Sequence, residues 1–492
     1  MPRACLLTLM LWPPALAQAV WPQFRGPSGS GIATDGDHPP IEFGIEKRLV
    51  WKTKTPSGHS SPSIWGNHIF LTAFRKDTQT LQVLAVDRIS GRILWERAVP
   101  AEGIEKVHEI SSPATATPAV DGNHVIAYFG SYGLLCFDFE GRELWKVPLG
   151  VANVIPYGSG TSPVIAGDFV LLNRDEGAEP YLLAVDRNTG KIVWKQKQYM
   201  GSPERRTGSK ATPVIFKDEI ILHRRNEIVG FDLATGSRKW WAKTETQGAG
   251  TPVAGPNAVY VATWFNSGEP DLRVPLPDFD ALLKLYDKNG DGLLSEREFP
   301  EKILVARRIG LDGVEGADQA LPARSVFPTA DRNKDGQIDR AEWEEYGKRN
   351  AERAPEHGLL AIRPGGRGDV GSTRVVWKET RGVPEVPAPL WFQGRVYTIS
   401  DGGVVSCLDA ETGKLIYRGR VAGGAYFASP IAADGRIYLS SGDGIVTVIK
   451  GGDRLEPLAR NDLQEPLFAT PAVAGDAIYI RTPTMLYAFA GK

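Results

Sequence analysis

The sequence predicts an all-β fold: an eight-bladed β-propeller of four-stranded antiparallel blades, interrupted by a small α-helical insertion. Two observations predict the propeller. A small residue followed by Pro opens a short apolar strand eight times, and most intervals between these pairs are 39 to 56 residues. That interval is the length of one four-stranded blade. A third observation predicts the insertion, because one interval is 137 residues long, about 90 more than a normal unit.

The composition is that of an ordinary globular protein. Of 492 residues, 42% are hydrophobic and 23% are charged, and the formal net charge is -1. Without a basic excess, nucleic acid is not expected as a partner. The 54 Gly and 36 Pro residues favour many short strands joined by turns.

The N-terminus has the pattern of a cleavable export signal, residues 1–19. Arg3 supplies positive charge, Leu6 to Leu16 is mostly apolar, and Ala17-Gln18-Ala19 gives a small-x-small cleavage pattern. A buried N-terminal strand is the alternative. No lipid-attachment pattern surrounds Cys5, and no later stretch reaches the roughly 20 apolar residues of a membrane span. The sequence therefore predicts a periplasmic or secreted protein that begins near Val20.

The repeated pairs define eight units. They are Ser61-Pro62, Thr117-Pro118, Ser162-Pro163, Thr212-Pro213, Thr251-Pro252, Ala388-Pro389, Ser429-Pro430 and Thr470-Pro471.

Most units continue with a third strand that ends in Asp, a tight turn with Gly, and an aromatic residue four positions after that Gly. The turn needs a residue at positive φ, which Gly supplies. We interpret the aromatic residue as filling an inter-blade socket, where burial contributes about 2 to 3 kcal/mol; an ordinary buried sandwich residue is the alternative. The glycines are Gly91, Gly141, Gly190, Gly236 and Gly413, and the aromatic residues are Trp95, Trp145, Trp194, Trp240 and Tyr417.

A small residue recurs inside the third strand. Cys136 and Cys407 occupy this position in the second and sixth units, on opposite sides of the ring. Because a disulfide needs Cα atoms within about 7 Å, we expect both cysteines to be unpaired core residues. The full set is Ala85, Cys136, Ala184, Gly230, Ala361, Cys407, Val448 and Ala488.

The last unit lacks its own fourth strand, since the sequence stops at Lys492 soon after LYAFA. The run Leu49-Val50-Trp51-Lys52 has the missing pattern. Pairing the two would close the ring and remove an open sheet edge.

These repeats resemble a known family. The AVDRNTGKIVW run that ends at Trp194, its counterparts, and the opening run Trp21 to Pro27 are similar to bacterial PQQ-like (quinoprotein-type) propeller repeat proteins. The resemblance covers nearly all of the mature chain outside the insertion. The superfamily includes quinoprotein alcohol dehydrogenases and the noncatalytic propeller lipoprotein of the outer-membrane assembly machinery, BamB. The resemblance therefore implies the fold and leaves the chemistry open.

The insertion contains two twelve-residue loops with the EF-hand pattern D-x-N-x-D-G-x-x-[SD]-x-x-E. Calcium takes six to eight oxygen ligands, which such a loop supplies from alternate positions. We therefore expect two calcium ions. The predicted ligands are Asp287, Asn289, Asp291, Leu293 (carbonyl), Ser295 and Glu298 in the first loop, and Asp331, Asn333, Asp335, Gln337 (carbonyl), Asp339 and Glu342 in the second.

Two further expectations concern the insertion. Pro328 falls in the entering helix of the second hand, which should make that hand shorter or weaker. The insertion leaves after a second strand and returns at a third, so it should lie on the same face as the loops before each Pro strand. The predicted domains are 1–19 signal peptide, 20–265 first part of the propeller with the ring-closing strand, 266–357 EF-hand insertion, and 358–492 remaining blades.

The loops of that face also carry candidate residues for a funnel at the propeller axis. Their convergence would make a pocket; scattered rim residues are the alternative. The candidates are His59, Glu109, Tyr157, Arg206, Lys210, Gln247, Glu385, Tyr426 and Phe468.

No catalytic residue is assigned from the sequence. Quinoprotein alcohol dehydrogenases carry an adjacent cysteine pair near the quinone, and this sequence has none, so PQQ has no supporting motif. The favoured hypothesis is a monomeric, noncatalytic scaffold for a protein, peptide or glycan partner on the insertion-bearing face. The alternative is a periplasmic PQQ-dependent alcohol or sugar dehydrogenase.

Overall fold

The computed structural model confirms the eight-bladed propeller. It describes residues 19–491 except 109, 153–156, 176–178, 199–208, 247–248, 266–267, 270–271, 308–318 and 353–356. Eight antiparallel sheets each contain the four strands of one blade, and hydrogen bonds between the residues just before neighbouring first strands place those strands around the axis. No helix within the described residues is long and apolar enough to cross a membrane.

Two short N-terminal strands, β1 (Val20–Trp21) and β2 (Leu49–Lys54), precede the first four blades. Blade 1 contains β3 (Ser63–Trp65), β4 (His68–Arg75), β5 (Thr80–Asp87) and β6 (Ile93–Ala98); blade 2 contains β7 (Ala119–Val120), β8 (Val125–Phe129), β9 (Gly133–Phe137) and β10 (Glu143–Pro148). Blade 3 contains β11 (Val164–Ala166), β12 (Phe169–Arg174), β13 (Tyr181–Asp186) and β14 (Ile192–Lys197); blade 4 contains β15 (Val214–Phe216), β16 (Glu219–His223), β17 (Glu227–Asp232) and β18 (Arg238–Lys243).

Blade 5 begins with β19 (Val253–Ala254) and β20 (Val259–Thr263), and the insertion follows. The insertion contains α1 (Phe279–Tyr286), β21 (Leu294–Ser295), β22 (Lys302–Ala306), β23 (Gln319–Pro322), α2 (Ala323–Ala330), β24 (Gln337–Ile338) and α3 (Arg340–Glu352). Blade 5 then resumes with β25 (Gly358–Ile362), β26 (Gly368–Asp369), the short helix α4 (Gly371–Arg374) and β27 (Val375–Glu379).

The last three blades return the chain to its start. Blade 6 contains β28 (Leu390–Phe392), β29 (Arg395–Ser400), β30 (Val404–Asp409) and β31 (Leu415–Arg420); blade 7 contains β32 (Ile431–Ala433), β33 (Arg436–Ser440), β34 (Ile445–Lys450) and β35 (Pro457–Asp462). Blade 8 contains β36 (Ala472–Ala474), β37 (Ala477–Arg481) and β38 (Met485–Ala490), and β2 pairs antiparallel with β38 as its fourth strand, with Trp51 opposite Ala488. The predicted strand pairing that closes the ring is therefore present.

The tryptophans of the fourth strands dock on the next blade. Trp145 of blade 2 donates its indole N–H to the carbonyl of Arg187 in blade 3 at 2.8 Å. Its ring covers Gly190, where an added Cβ would lie 2.7 Å from Cε3, so the turn needs Gly both for this contact and for its φ of +69°. Trp51, Trp95 and Trp377 make the same type of bond to the following blade.

Three of the predicted socket residues differ from this arrangement, one of which is Tyr417, whose buried hydroxyl has no hydrogen-bond partner among the described residues. Trp194 covers Gly236, but its buried indole N–H has no acceptor among the described residues. Trp240 is fully buried between blades 4 and 5 and donates at 2.8 Å to Glu219 of its own blade. The reason is that the turn of blade 5 is replaced by a longer segment whose β26 pairs in parallel with β18.

Each small third-strand residue lies directly opposite the socket position. Cys136, for example, pairs with Trp145, and Ala184 pairs with Trp194. Blade 7 reverses the sizes, because Val448 there pairs with Ala459. A large side chain at one of the two positions therefore requires a small side chain opposite it, and cysteine is small enough to occupy the third-strand position.

Both cysteines are buried and unpaired, as predicted. Burial raises the pKa of the Cys136 thiol, and burial also raises the pKa of Cys407 to about 11. Neither thiol is therefore activated as a nucleophile.

The repeated Ser/Thr-Pro positions form a ring of hydrogen bonds around the axis. The backbone N–H of each residue before Pro donates to the hydroxyl of its counterpart in the next blade at 3.0–3.1 Å, from Ser61 to Thr117 and finally from Thr470 back to Ser61. The series is interrupted only between Thr251 and Ala388 of these eight positions, because alanine has no hydroxyl.

Replacing Ala388 by Ser is expected to complete this ring. The new hydroxyl would accept from the Thr251 N–H, and one added buried hydrogen bond contributes about 1 kcal/mol. The urea midpoint of unfolding measures the gain. Ser429→Ala, which removes an existing bond of the same kind, should lower the midpoint by a similar amount; an unchanged midpoint in both variants would show that the ring does not stabilise the fold.

The N-terminal segment after β1 crosses the axial channel. Val20 and Trp21 pair with the first strand of blade 1, and the Pro22 carbonyl accepts from Val120 of blade 2. The chain then reaches the opposite side, where Arg25 donates to the Pro389 carbonyl of blade 6 and Ile32 forms a parallel bridge with blade 7. We call residues 20–33 the axial plug.

Candidate calcium centre and axial mouth

Both EF-hand loops have the backbone conformation that calcium ligation requires. Gly292 and Gly336, at the sixth loop position, have φ of +79° and +84°. Gly290 and Lys334, two residues earlier, are also at positive φ. These residues turn the chain so that oxygens from alternate positions face the loop interior.

The loop carboxylates accept similar backbone bonds in both loops, except that the second loop lacks the counterpart of the Gly290 bond. In the first loop, Asp287 Oδ1 and Oδ2 accept from the N–H groups of Gly290 at 2.7 Å and Gly292 at 3.0 Å. In the second, Asp331 Oδ2 accepts from Gly336 at 3.1 Å. The predicted ligands at positions three and five continue the pattern. In the first loop, the Asn289 side chain accepts from the Asp291 N–H, and the Asp291 side chain accepts from the Leu293 N–H. In the second loop, Asn333 accepts from the Asp335 N–H, and Asp335 accepts from the Gln337 N–H.

The terminal glutamate of each loop reaches back to its beginning. Glu298 accepts from Lys288 and from Ser295, and the Ser295 hydroxyl donates to it at 2.6 Å. These bonds, the Ser295 side chain foremost, lower the pKa of Glu298. Glu342 likewise accepts from Arg332 at 2.9 Å and from Asp339 at 3.3 Å. Each glutamate can therefore close its loop around an ion.

The two loops pair through their eighth positions. Leu294 lies opposite Ile338 in the short antiparallel sheet β21–β24, and both side chains are fully buried. They belong to a separate core with Phe299, Phe327 and Trp343, whose indole N–H donates to the Pro277 carbonyl at 2.8 Å. The insertion thus has its own hydrophobic core.

One oxygen of the second loop is left without a partner. Asp331 is 8% exposed, and its buried Oδ1 accepts no hydrogen bond within the described residues. A buried carboxylate oxygen without a donor is unfavourable, and a cation would satisfy it. The all-oxygen donor set of both loops fits Ca²⁺.

The described His, Cys, Asp and Glu side chains form no cluster of three or more at metal-ligand spacing. In the loops, the carboxylates instead accept the backbone N–H bonds given above. Ligation of an ion would exchange part of these bonds, so the loop conformation rather than a carboxylate cluster indicates the site.

The hands depart from the usual helix–loop–helix arrangement. The first loop is followed by β22, which pairs with β23, rather than by an exiting helix. Pro328 lies inside α2, but α2 has eight residues, the same length as α1. The entering helix of the second hand is therefore not shorter than that of the first, and a weaker second hand stays a prediction.

The insertion joins blade 5 at the end that carries the Ser/Thr-Pro loops. The register of β19 with β20 pairs Val253 with Tyr260, which brings Thr263 to the same end as Thr251. The Thr246 hydroxyl from that loop donates to the Trp264 carbonyl at 2.9 Å. The insertion thus leaves on the predicted face.

A buried histidine fixes both ends of the insertion. His357 Nδ1 accepts from the Phe265 N–H at 2.9 Å, so Nε2 carries the proton that is donated to the Thr380 carbonyl at 3.1 Å. Burial lowers the pKa of His357 to about 4. The neutral ring therefore links the outgoing chain, the returning chain and the turn after β27.

Residues three positions before each repeated Pro surround the axial mouth. Three of them, from blades 1, 7 and 8, are rings in contact: His59 stacks on Phe468 at 4.4 Å between centroids, and Phe468 meets Phe427 at 5.0 Å. Burial lowers the pKa of His59 to about 4, helped by the charges of Arg481 and Lys76, so the imidazole is neutral. The equivalent positions elsewhere are Thr115, Gly160, Lys210, Ala249 and Val386.

A polar cluster lies on blades 2 to 4 of the same face. Lys210 Nζ lies 4.3 Å from the ring centroid of Tyr157, which also contacts His108. Nearby, Glu105 is buried and accepts from the N–H and hydroxyl of Ser159 at 3.1 Å. Burial raises the pKa of Glu105 to about 7, against the hydrogen bonds of Ser159.

The structure brings together only some of the predicted funnel residues. His59 and Phe468 are in contact, and Tyr157 is in contact with Lys210. Tyr426 instead lies in the core between blades 6 and 7, where its hydroxyl donates to the Ala422 carbonyl at 2.6 Å. The backbone carbonyl of Glu385 accepts from Ala249. Glu109, Arg206 and Gln247 lie outside the described residues.

Sequence reasoning missed two residues of this face and channel. Glu105 gave no signal, because a lone Glu in a loop is ordinarily solvated. Phe427 was detectable, since it lies at the same offset from its Pro as His59 and Phe468.

The ring of blades and the paired loops define the class of protein: a PQQ-like eight-bladed β-propeller with an EF-hand pair. A family model described as outer membrane protein assembly factor BamB matches residues 80–269 and 367–456, more than half of the chain, and the chain belongs to this family. A second family model, described as EF hand, matches residues 279–302 and 324–345.

Solved structures agree on the fold. BamB from Moraxella catarrhalis is 12% identical, with a TM-score of 0.52 over 90% of this chain and 99% of that chain. A europium-containing methanol dehydrogenase is 12% identical, with a TM-score of 0.51 over 96% of this chain and 98% of that chain. Curated protein sequences give no significant match. At this identity the likeness shows the fold alone.

Proposed function

We propose that the chain is an exported, calcium-binding β-propeller that acts as a noncatalytic scaffold for a protein partner on the insertion-bearing face. Residues 1–19 would be its signal peptide, residues 266–357 the calcium module, and residues 20–265 with 358–492 the propeller. The observation that carries the calcium assignment is the pair of loops joined through Leu294 and Ile338, with the partnerless Asp331 Oδ1 in the second. Membership in the BamB-like family supports a binding role.

The packing of the thiols argues against a cysteine nucleophile. Both mature cysteines are buried opposite socket residues in the cores of blades 2 and 6. They are therefore committed to packing.

Calcium would be held by the twelve predicted loop residues, and its role would be structural. Hydrogen bonds already order the loops without an ion. A bound ion would therefore add rigidity to the insertion, in which α2 follows β23 directly, next to the propeller face. EF-hand loops in extracellular modules bind with dissociation constants of about 0.1 to 1 mM.

Isothermal titration of residues 20–492 with CaCl₂ tests the site. We expect two ions per chain, and loss of binding by at least about tenfold in the Asp287→Ala/Asp331→Ala double variant, because the first ligand of each loop is removed. The control Asp168→Ala/Asp218→Ala removes the same charge from exposed turns and should bind as the parent does. Equal affinity in both double variants would contradict the calcium assignment.

A quinone-dependent oxidoreductase is the second candidate. The side chains at the axial mouth favour it, because the rings of His59, Phe468 and Phe427 lie on one side of the mouth and Lys210 of blade 4 lies on the opposite side. A planar anionic cofactor could stack and pair there. Dye reduction with PQQ, Ca²⁺ and a panel of alcohols and aldoses separates the candidates. The scaffold proposal expects no rate above the quinone-free control; PQQ-dependent reduction that is abolished by Lys210→Ala would overturn it.

A further inference from the structure

The axial plug carries a fully buried arginine. Arg25 is 0% exposed, and one of its terminal nitrogens, Nη2, donates to the Pro389 carbonyl at 2.7 Å and to the Ser30 carbonyl at 3.3 Å. Gly31 packs against the same nitrogen, since an added Cβ would lie 2.9 Å away. The guanidinium is therefore held inside the channel, between the plug and the start of blade 6.

The other nitrogens of Arg25 have no acceptor. Nε and Nη1 are buried and form no hydrogen bond with any described residue. Together they carry three of the five N–H groups of the guanidinium. A buried N–H without an acceptor is unfavourable, and the penalty is greater for a charged donor.

The positive charge of Arg25 is also uncompensated. No ion pair joins Arg25 to a carboxylate of the described residues, and burial is the one cause that lowers its pKa, to about 9. At neutral pH the side chain therefore still carries its proton. A desolvated charge of this kind requires a counter-charge or polar ligand close by.

A second buried arginine provides an internal comparison. Arg481 is also 0% exposed, and burial lowers its pKa to about 9. However, both of its terminal nitrogens have protein acceptors: Nη1 donates to the carbonyls of Ser60 and Thr72 and to the Ser60 hydroxyl, and Nη2 donates to the Pro56 carbonyl. Only Nε lacks a partner. Protein acceptors thus serve Arg481, whereas Arg25 retains an open terminal nitrogen.

We propose that Arg25 holds a small inorganic anion, of the size of chloride, inside the channel at its Nη1 and Nε atoms. The anion supplies the missing charge and accepts the unpartnered N–H bonds. Because the plug joins blades 1 and 2 to blades 6 and 7, the ion would stabilise closure of the ring. This site lies in the propeller and is independent of the EF-hand loops and of the scaffold role.

Bromide is the direct probe. Crystals of residues 20–492 soaked in NaBr are expected to show an anomalous peak within hydrogen-bonding distance of Arg25 Nη1 or Nε, and no peak at Arg481. In solution, the melting temperature should be several degrees higher in NaCl than in sodium gluconate of equal ionic strength. Arg25→Met should abolish this difference.

Two variants keep the test decisive if Arg25→Met folds poorly. Arg25→Lys retains the charge without the guanidinium N–H groups and should weaken the chloride dependence. Arg481→Met should lower the melting temperature in both salts and leave the chloride difference intact. Electron density without an anomalous signal, together with equal melting temperatures in both salts, would show that Arg25 is hydrated by water and overturn the proposal. A chloride difference that persists in Arg25→Met would also overturn it.

Discussion

Replacing Trp145 by Ala is expected to lower the free energy of unfolding by about 3 to 5 kcal/mol, the range for removing a large aromatic residue from a core. The ring is 7% exposed, covers Gly190 of the next blade and donates to the Arg187 carbonyl. The substitution leaves a cavity between two blades and removes the donor of that bond. Urea denaturation of the two proteins at one pH measures the loss.

The neighbouring residue provides a matched control. Leu144 belongs to the same strand, but its side chain is 48% exposed. Leu144→Ala should therefore change the free energy of unfolding by less than about 0.5 kcal/mol. If Trp145→Ala costs no more than Leu144→Ala, the socket does not hold the blades together.

Acidification is expected to destabilise the propeller between pH 6.5 and pH 4. Three histidines are kept neutral by burial, which lowers the pKa of His59, His223 and His357 to about 4 each. The fixed tautomers agree with this. His223 donates through Nδ1 to the Gly250 carbonyl at 2.9 Å, whereas His357 accepts at Nδ1.

The sign follows from proton binding. Unfolded histidine takes up its proton as the pH falls below 6.5, whereas these folded histidines do so only near pH 4. Between pH 6.5 and pH 4 the unfolded state therefore binds more protons than the folded state, and the free energy of unfolding decreases as the pH is lowered. Each histidine contributes on the order of 3 kcal/mol. The raised pKa of Glu105, about 7, acts in the opposite direction and offsets roughly one histidine, so the net effect is destabilising.

Urea midpoints at pH 7, 6, 5 and 4.5 measure the decline. His223→Gln should flatten the net decline by about one half, because it removes one of the roughly two histidine equivalents that remain after the offset by Glu105, and the side chain stays polar but no longer titrates. His38→Gln replaces an exposed histidine and should leave the slope as it is. A midpoint that stays constant down to pH 4.5 in the parent would contradict the assignment of buried neutral histidines.

The sequence by itself determined the features that depend on local pattern. The Ser/Thr-Pro pairs and the Asp-to-aromatic spacing predicted the blades and the pairing of the strand around Trp51 with the last unit. The structure added the register, which places Trp145 opposite Cys136. The EF-hand spacing predicted two loops whose glycines adopt positive φ. These predictions are possible because a propeller repeats one local unit, and each unit contacts only its neighbours.

Tertiary structure alone decided the features that depend on packing between blades. In the sequence, Arg25 has the pattern of an ordinary loop residue. In the structure, the axial plug places it across the axis, where it bonds to Pro389, 364 positions away. Tyr426 looked like a funnel residue and became core, because its loop turns the ring towards Ala422. Trp240 does not contact the expected glycine turn, because the corresponding segment of blade 5 contains β26, which pairs with β18. The partner of Arg25 is set by how the ring closes, which a local pattern does not encode, whereas Tyr426 and Trp240 depend on how blades 6 and 7 and blades 4 and 5 pack against each other.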